Sequence, residues 1–337
     1  MMIFLKRCIF LIILIEIVNG QSIVINNSTS STTTSSNIIF TNKGIINNII
    51  LKSMGFFDQT KYISLTRKNI GYIDDNSFRT FTCLASIDLS YNKLSFINSN
   101  QFSNIICLTR LDLSFNNIST IDTLSFRGLT NLQTLNLASN QIVYLNPISF
   151  QGLSNLKHLF LTNNKFSAID AGLFNGLRNL LTLSLAGNKL NQIFTNTFQD
   201  LNNLLTLYLG SNKFSRFDSE SFKGLYRLNS LFIQSNGLEV IDGNIFKDLY
   251  NLVDLYLYEN KLKQINLDAF KGIPNLRILD MNSNQIGSVD INAFNLFTQL
   301  QTLNLKSNPI ALVFSNILDI SRRVNDKLLK GTTIILN

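Results

Sequence analysis

The 337-residue sequence has a single His, three Cys and 16 Gly, and only 15% of it is charged. So few His and Cys exclude zinc-finger arrays and His-rich metal centres. Sparse Gly excludes a collagen-like chain. No Gly-rich phosphate loop, nucleophile and base pair, or metal-ligand spacing is present, so neither enzymatic activity nor a cofactor is expected. Apolar residues are abundant instead: 45% of the chain is hydrophobic and 26 residues are Phe, too many for a disordered protein. The formal net charge is +8, which favours acidic partners only where the basic groups share one surface.

The first 20 residues read as a secretory signal peptide. Lys6-Arg7 is followed by an apolar run, Cys8 to Val18, interrupted only by Glu16. That run is too short to cross ~30 Å of hydrocarbon at ~1.5 Å per residue, and Val18 and Gly20 supply small residues for cleavage. An extracellular, secreted chain starting at Gln21 is expected, with no later stretch long and apolar enough for a transmembrane span. Ser28 to Ser36 is an unbroken run of hydroxyl side chains, so residues 21–37 read as a flexible linker. Asn26 and Asn27 both begin N-x-[ST] sequences and are candidate N-glycosylation sites.

Beyond this the chain repeats itself every 24 residues. Asn recurs at Asn92, Asn116, Asn140, Asn164, Asn188, Asn212, Asn236, Asn260, Asn284 and Asn308. Phe recurs in the same step from Phe78 to Phe294, and Leu from Leu84 to Leu300. With Leu84 as position 1, the pattern is L-x-x-L-x-L-x-x-N-x-[ILF]-x-x-[ILFV], then Phe at position 19 and mostly Leu at 22. One earlier unit is in register but carries Lys68 at the Asn position. The alternation in L-x-L, as at Leu135 and Leu137, marks a short strand buried on one face. One strand per unit, always in the same direction, forces parallel pairing between successive turns. Each turn then buries about seven apolar side chains worth roughly 1.5–3 kcal/mol apiece, but only when a neighbour covers them.

The pattern over 61–314 resembles the 24-residue class of leucine-rich repeats found in extracellular proteins, including Toll-type receptor ectodomains, Slit-type proteins and small leucine-rich proteoglycans. The resemblance implies an α/β solenoid, a horseshoe of about eleven repeats with a parallel concave sheet and an irregular or 3-10 convex side. It also implies recognition or adhesion as the role, and an asparagine ladder formed by the ten Asn residues above. A short amide supplies both donor and acceptor where the backbone leaves the sheet. Lys68 cannot accept a hydrogen bond, so the first unit is expected to be distorted.

Solenoid ends need covering. Residues 38–60 are apolar enough for an N-terminal cap. Residues 315–337 read as a C-terminal cap, with Leu318, Ile320, Val324 and Leu328 before Gly331, then a last strand over 332–336. Cys83 and Cys107 both hold position 24, one repeat apart. Equivalent residues in stacked turns lie ~5 Å apart, within disulfide reach, which leaves a bridge and two free thiols both open.

Positions 3, 5, 7 and 8 should face the concave side. Position 5 gathers Phe160, Tyr208, Phe232 and Tyr256 near the middle, and Tyr258 joins them from position 7. These five, with His158 and Ser184, form the candidate partner-binding surface, an apolar strip turned to solvent. Ser184, Ala186, Gly187 and Gly210 are expected to leave a notch between Phe160 and Tyr208 for a partner side chain. Stacking across strands would also account for the aromatics. His158, the only His, has no metal or catalytic partner in the pattern and reads as an exposed polar residue. Asp88 and Asp112 read as solvated carboxylates with Arg110 as counter-charge. Lys93, Lys165, Lys189, Lys213 and Lys261 share position 10 and form a candidate basic rim, either for acidic glycans or as a solvated edge. Asn117, in Asn117-Ile118-Ser119, holds the same rim position and is a third candidate glycosylation site.

Two functions remain open. The first is a secreted, non-enzymatic module that recognises a protein partner, with no nucleic acid involved and with room for cell-surface association through that partner. The second is a structural matrix component that binds glycans or self-associates.

Overall fold

A computed structural model describes residues 44–312 and 333–335. The signal peptide and linker readings, with Asn26 and Asn27, lie outside the described residues, as do Leu318, Ile320, Val324 and Leu328. In the described chain, twelve three-residue strands form one parallel sheet. It runs from Tyr62–Ser64 through eleven successors to Thr333–Ile335. Every pairing is one turn to the next, with Leu183 opposite both Leu159 and Leu207. The middle residue of each of the eleven repeat strands, from Ile63 to Leu303, is buried, and so is the second residue after it, from Leu65 to Leu305. The strands are short because each turn has only three residues before the chain must bend.

The bend has the same form in every turn. The residue before the ladder position has φ between 53° and 67° from Arg67 to Ser307. Its N–H, like that two residues earlier, donates forward to the next turn, as in Leu89 to Asp112 O and Tyr91 to Ser114 O. After it the direction reverses, and Lys93 N–H donates back to Ile70 O. The ladder side chain sits where this reversal leaves backbone groups without partners. Asn116 Nδ2 donates to Leu89 O, Leu113 O and Ser114 O, while its Oδ1 accepts from Leu94 N–H. The same set recurs at Asn188 and on to Asn308. At the first turn Lys68 points outward, and its N–H reaches Asn92 Oδ1 instead.

On the opposite side the chain returns, among the described residues, as turns, three two-stranded ribbons and two 3-10 segments, Ile291–Leu296 and Pro309–Leu312. The position-19 Phe rings stack there in pairs: Phe78 on Phe102 at 5.9 Å, Phe126 on Phe150 at 6.3 Å, Phe174 on Phe198 at 6.1 Å. Rings on the sheet side are only 4.5 Å apart. Turns wider at the spine than at the sheet are wedges, so stacking them curves the solenoid with its sheet on the inside.

At the N-terminal end, Ile45–Ile46 pairs with Tyr72–Ile73, and a one-and-a-half-turn helix, α1 (Asn48–Ser53), buries Leu51 over the first turn. Asn47 caps it, its side chain accepting from Ile50 N–H at 2.9 Å. At the other end Thr333–Ile335 pairs with Thr302–Asn304 and covers the last repeat strand.

A second row of amides was not read from the sequence. At position 24, Asn131, Asn155, Asn179, Asn203, Asn251 and Asn275 each donate Nδ2 to a carbonyl of the preceding turn at 2.7–2.9 Å. The step of 24 in these residues was the available signal. Cys83 and Cys107 occupy this slot in the first turns, and both are free thiols, so the bridge is not made. Cys83 is half-buried with Sγ 3.7 Å from Gln59 Oε1, while Cys107 is exposed. Iodoacetamide applied without reductant is expected to alkylate both, Cys107 faster; failure of both to react unless reduced would restore the bridge.

Candidate functional site

The exposed face of the sheet is built by strand residues on either side of each buried middle residue. Parallel pairing in register sets position 5 residues beside one another, and the sequence decides what stands there. Asp112 pairs with Asn136, Phe160 with Ser184, Tyr208 with Phe232, and Phe232 with Tyr256. Three aromatics in a row become a continuous stack, Tyr208 on Phe232 on Tyr256. The centroids are 4.5 Å apart and the planes inclined by 17° and 5°. This matches the ~4.8 Å strand spacing, so the backbone itself holds the rings at stacking distance.

Stacking changes what the strip offers. The rings are half-buried by one another and not fully turned to solvent. The faces between the rings are used up, and what another molecule can touch is the ring edges, the two phenol groups and the end faces of Tyr208 and Tyr256. Burial, with Asp254 and Asp280 close by, pushes the Tyr256 phenol above its ordinary pKa. Burial and Glu259 do the same for Tyr258. Both are therefore neutral donors at physiological pH.

Phe160 does not join this stack. Ser184 stands between it and Tyr208, is only 5% exposed, and shares a 2.6 Å hydrogen bond with Thr162 Oγ1. Ser184 is thus removed from the contact surface. The expected notch is also filled: the Asn163 side chain lies over Gly187 and that of Gln234 over Gly210. Gln234 Oε1 is buried there without a hydrogen-bond partner among the described residues. His158 is half-buried rather than exposed, its ring nearly parallel to Phe160 at 6.5 Å and its Nδ1 3.2 Å from Thr182 Oγ1. Burial, with Lys157 close by, holds the imidazole below its ordinary pKa, so it is neutral.

Charge on this face is acidic although the chain is basic. Asp88 and Asp112 are half-buried, not freely solvated, and each accepts from N–H and Oγ–H of the Ser two residues on. Arg110 reaches Asp112 at 3.9 Å. Asp254 and Asp280 stand beside Tyr256, at one end of the aromatic stack. Positions 3, 5 and 7 of the ten turns from Leu84 onward thus carry four carboxylates against Arg110 and Lys306. The Lys residues at position 10 lie on the rim, exposed and in none of the salt bridges among the described residues. No group of His, Cys, Asp and Glu suited to a metal ion occurs among the described residues, and no helix there is long and apolar enough to cross a membrane.

A family model described as "Leucine rich repeat" matches residues 58–118, 106–166, 154–214, 183–238, 226–286 and 260–310. No curated protein matches. Among solved structures, a chain of the TLR13-ssRNA13 complex is similar at 28% identity and TM-score 0.66, covering 73% of this chain and 39% of that one. A chain of the Toll–Spatzle complex of Drosophila is similar at 25% identity and TM-score 0.65, covering 78% and 38%. An internalin of Listeria monocytogenes is similar at 27% identity and TM-score 0.56, covering 71% and 68%. This chain therefore spans about two fifths of the first two relatives.

Proposed function

Because the chain belongs to the leucine-rich repeat family, we propose that it is an extracellular, non-enzymatic recognition module whose concave face binds a protein partner around Tyr208, Phe232 and Tyr256. The observation that carries this reading is the aromatic stack itself. It lies towards the middle of the sheet, outside the buried core, with Asp254 and Asp280 beside Tyr256 at one end. A hydrophobic centre bordered by charge is the usual anatomy of a binding surface. The similarity to a chain of the Toll–Spatzle complex supports a protein ligand. The other similarity, to a chain of an RNA complex, transfers less well, since four carboxylates against two cations repel phosphate. The face favours instead a partner with apolar and basic groups.

The test is affinity capture from extracellular extract with the secreted chain and with Tyr208→Ala/Phe232→Ala/Tyr256→Ala in parallel, followed by Kd measurement on any protein lost from the variant. Removing a central anchor cluster should weaken binding by at least ~100-fold, at roughly 2 kcal/mol or more per dominant residue. Binding should persist at 0.5 M salt, where the Debye length is only a few Å. Equal capture by both forms, collapsing with salt, would transfer the function to the Lys93, Lys165, Lys189, Lys213 and Lys261 rim and to acidic glycans.

A further inference from the structure

The left-handed position before each ladder residue is mostly occupied by small or turn-tolerant side chains: Ser139, Asn163, Gly187, Ser211, Ser235, Ser283 and Ser307. Glu259 departs from this alone, and three consecutive turns depart together with Arg67, Tyr91 and Phe115, at φ of 57°, 56° and 54°. Bulky side chains are uncommon in this region, and strain of this kind gathers at functional positions. Here they stack. The Tyr91 and Phe115 rings are 4.2 Å apart and inclined by 5°, and the Arg67 guanidinium lies 4.2 Å over Tyr91. Tyr91 is 42% and Phe115 46% exposed, and neither belongs to the core. The next member of the row is Ser139, so no ring follows Phe115.

Two residues after Phe115 comes Asn117, and Asn117-Ile118-Ser119 is the only N-x-[ST] sequence in 44–312. Asn116, between them, turns its amide into the coil. Phe115 and Asn117 therefore flank an inward residue and project from the same edge of one turn, both exposed. The backbone is fixed there, with Asn117 N–H on Leu94 O and Ser119 N–H on Ser95 O, each at 2.9 Å. The Asn117 side-chain amide makes no hydrogen bond among the described residues.

We infer that Asn117 is an N-glycosylation site whose first sugar packs on the open face of Phe115, so that the Arg67, Tyr91 and Phe115 stack is a platform for carbohydrate. In the modification, Asn117 Nδ2 displaces the pyrophosphate of a lipid-linked oligosaccharide donor. The C–N bond forms at the anomeric carbon, the C–O bond to pyrophosphate breaks, and the amide proton passes to a base of the transferase. The C–H-rich face of a pyranose is apolar and slightly positive, and the face of an aromatic ring is negative. Contact removes water from both. Neither Asn26 nor Asn27 has an aromatic residue two positions earlier. The inference rests on the reading that the chain is exported, and is independent of the partner proposed above.

The test uses the full chain, with its own N-terminus, expressed in a eukaryotic secretory host. Variants are Phe115→Ser, Asn117→Gln and the pair; Ser is what five other turns carry at that position, so the fold is kept. Mass spectrometry of the secreted protein should find glycan on the Asn117 peptide. Phe115→Ser should lower Tm by about 1–3 °C more with the glycan than in the Asn117→Gln background, the scale of a sub-kcal to 1 kcal/mol contact in a domain this large. A secreted chain bare at Asn117 overturns the site. A glycosylated chain with equal Tm shifts in both backgrounds overturns the stacking. Retention of the chain in the cytosol removes export, and the inference with it.

Discussion

Phe198→Ala should lower the unfolding free energy by about 3–5 kcal/mol, the range for emptying a large aromatic from a packed core. Phe198 is 1% exposed and stacks on Phe174 at 6.1 Å. The void cannot collapse easily. Sheet pairing on one side and the amide ladder next to it fix the pitch between turns, so the walls have little freedom to close. In a linear array each turn is stabilised mainly by its two neighbours, and the loss therefore weakens the interfaces on both sides. Urea unfolding followed by circular dichroism should show an earlier midpoint. It should also show a broadened or divided transition as the segments on either side of the defect uncouple. A shift under ~1 kcal/mol with an unchanged slope would mean that the spine is filler and not structural.

Asn188→Ala should cost about 1–3 kcal/mol, by leaving buried backbone groups without partners. Asn188 Oδ1 accepts from Phe166 N–H at 3.1 Å, and Nδ2 donates to Leu161 O, Leu185 O and Ala186 O. Asn188→Asp separates the two roles. It keeps the acceptor but turns a carboxylate toward three carbonyl oxygens, so at neutral pH it should be worse than Ala. The comparison is made by thermal melts of the three proteins. An Asp variant as stable as the parent would show that the acceptor alone matters.

The period made the solenoid legible. A residue type recurring at fixed spacing reports a shared environment, and Asn92 to Asn308 and Phe78 to Phe294 recur without exception. Parallel register and the direction of each strand follow from that alone. The sheet face was harder to read, because there each position differs from its neighbours and the outcome depends on rotamers. Position 5 placed Tyr208, Phe232 and Tyr256 side by side, but nothing in the pattern said that their rings would cover one another's faces. Gly187 and Gly210 suggested a hollow, which Asn163 and Gln234 fill by bending across one turn. Ser184 was misplaced for a related reason: its small side chain lies low beside Thr162. The left-handed residue before each ladder Asn leaves no mark in the sequence, because its identity varies although its backbone does not.

The reversal of hydrogen bonding within each turn also sets the unit by which this surface can be edited. Every turn lends donors to the next and receives a ladder carbonyl from it, so a deletion of 23 or 25 residues severs both exchanges, whereas one whole period of 24 restores them. Excising residues 172–195 would remove the turn that carries Ser184 and bring Phe160 against Tyr208, lengthening the three-ring stack to four. The scaffold thus behaves like movable type, in which the order of letters on the inner face can be changed without recasting the line.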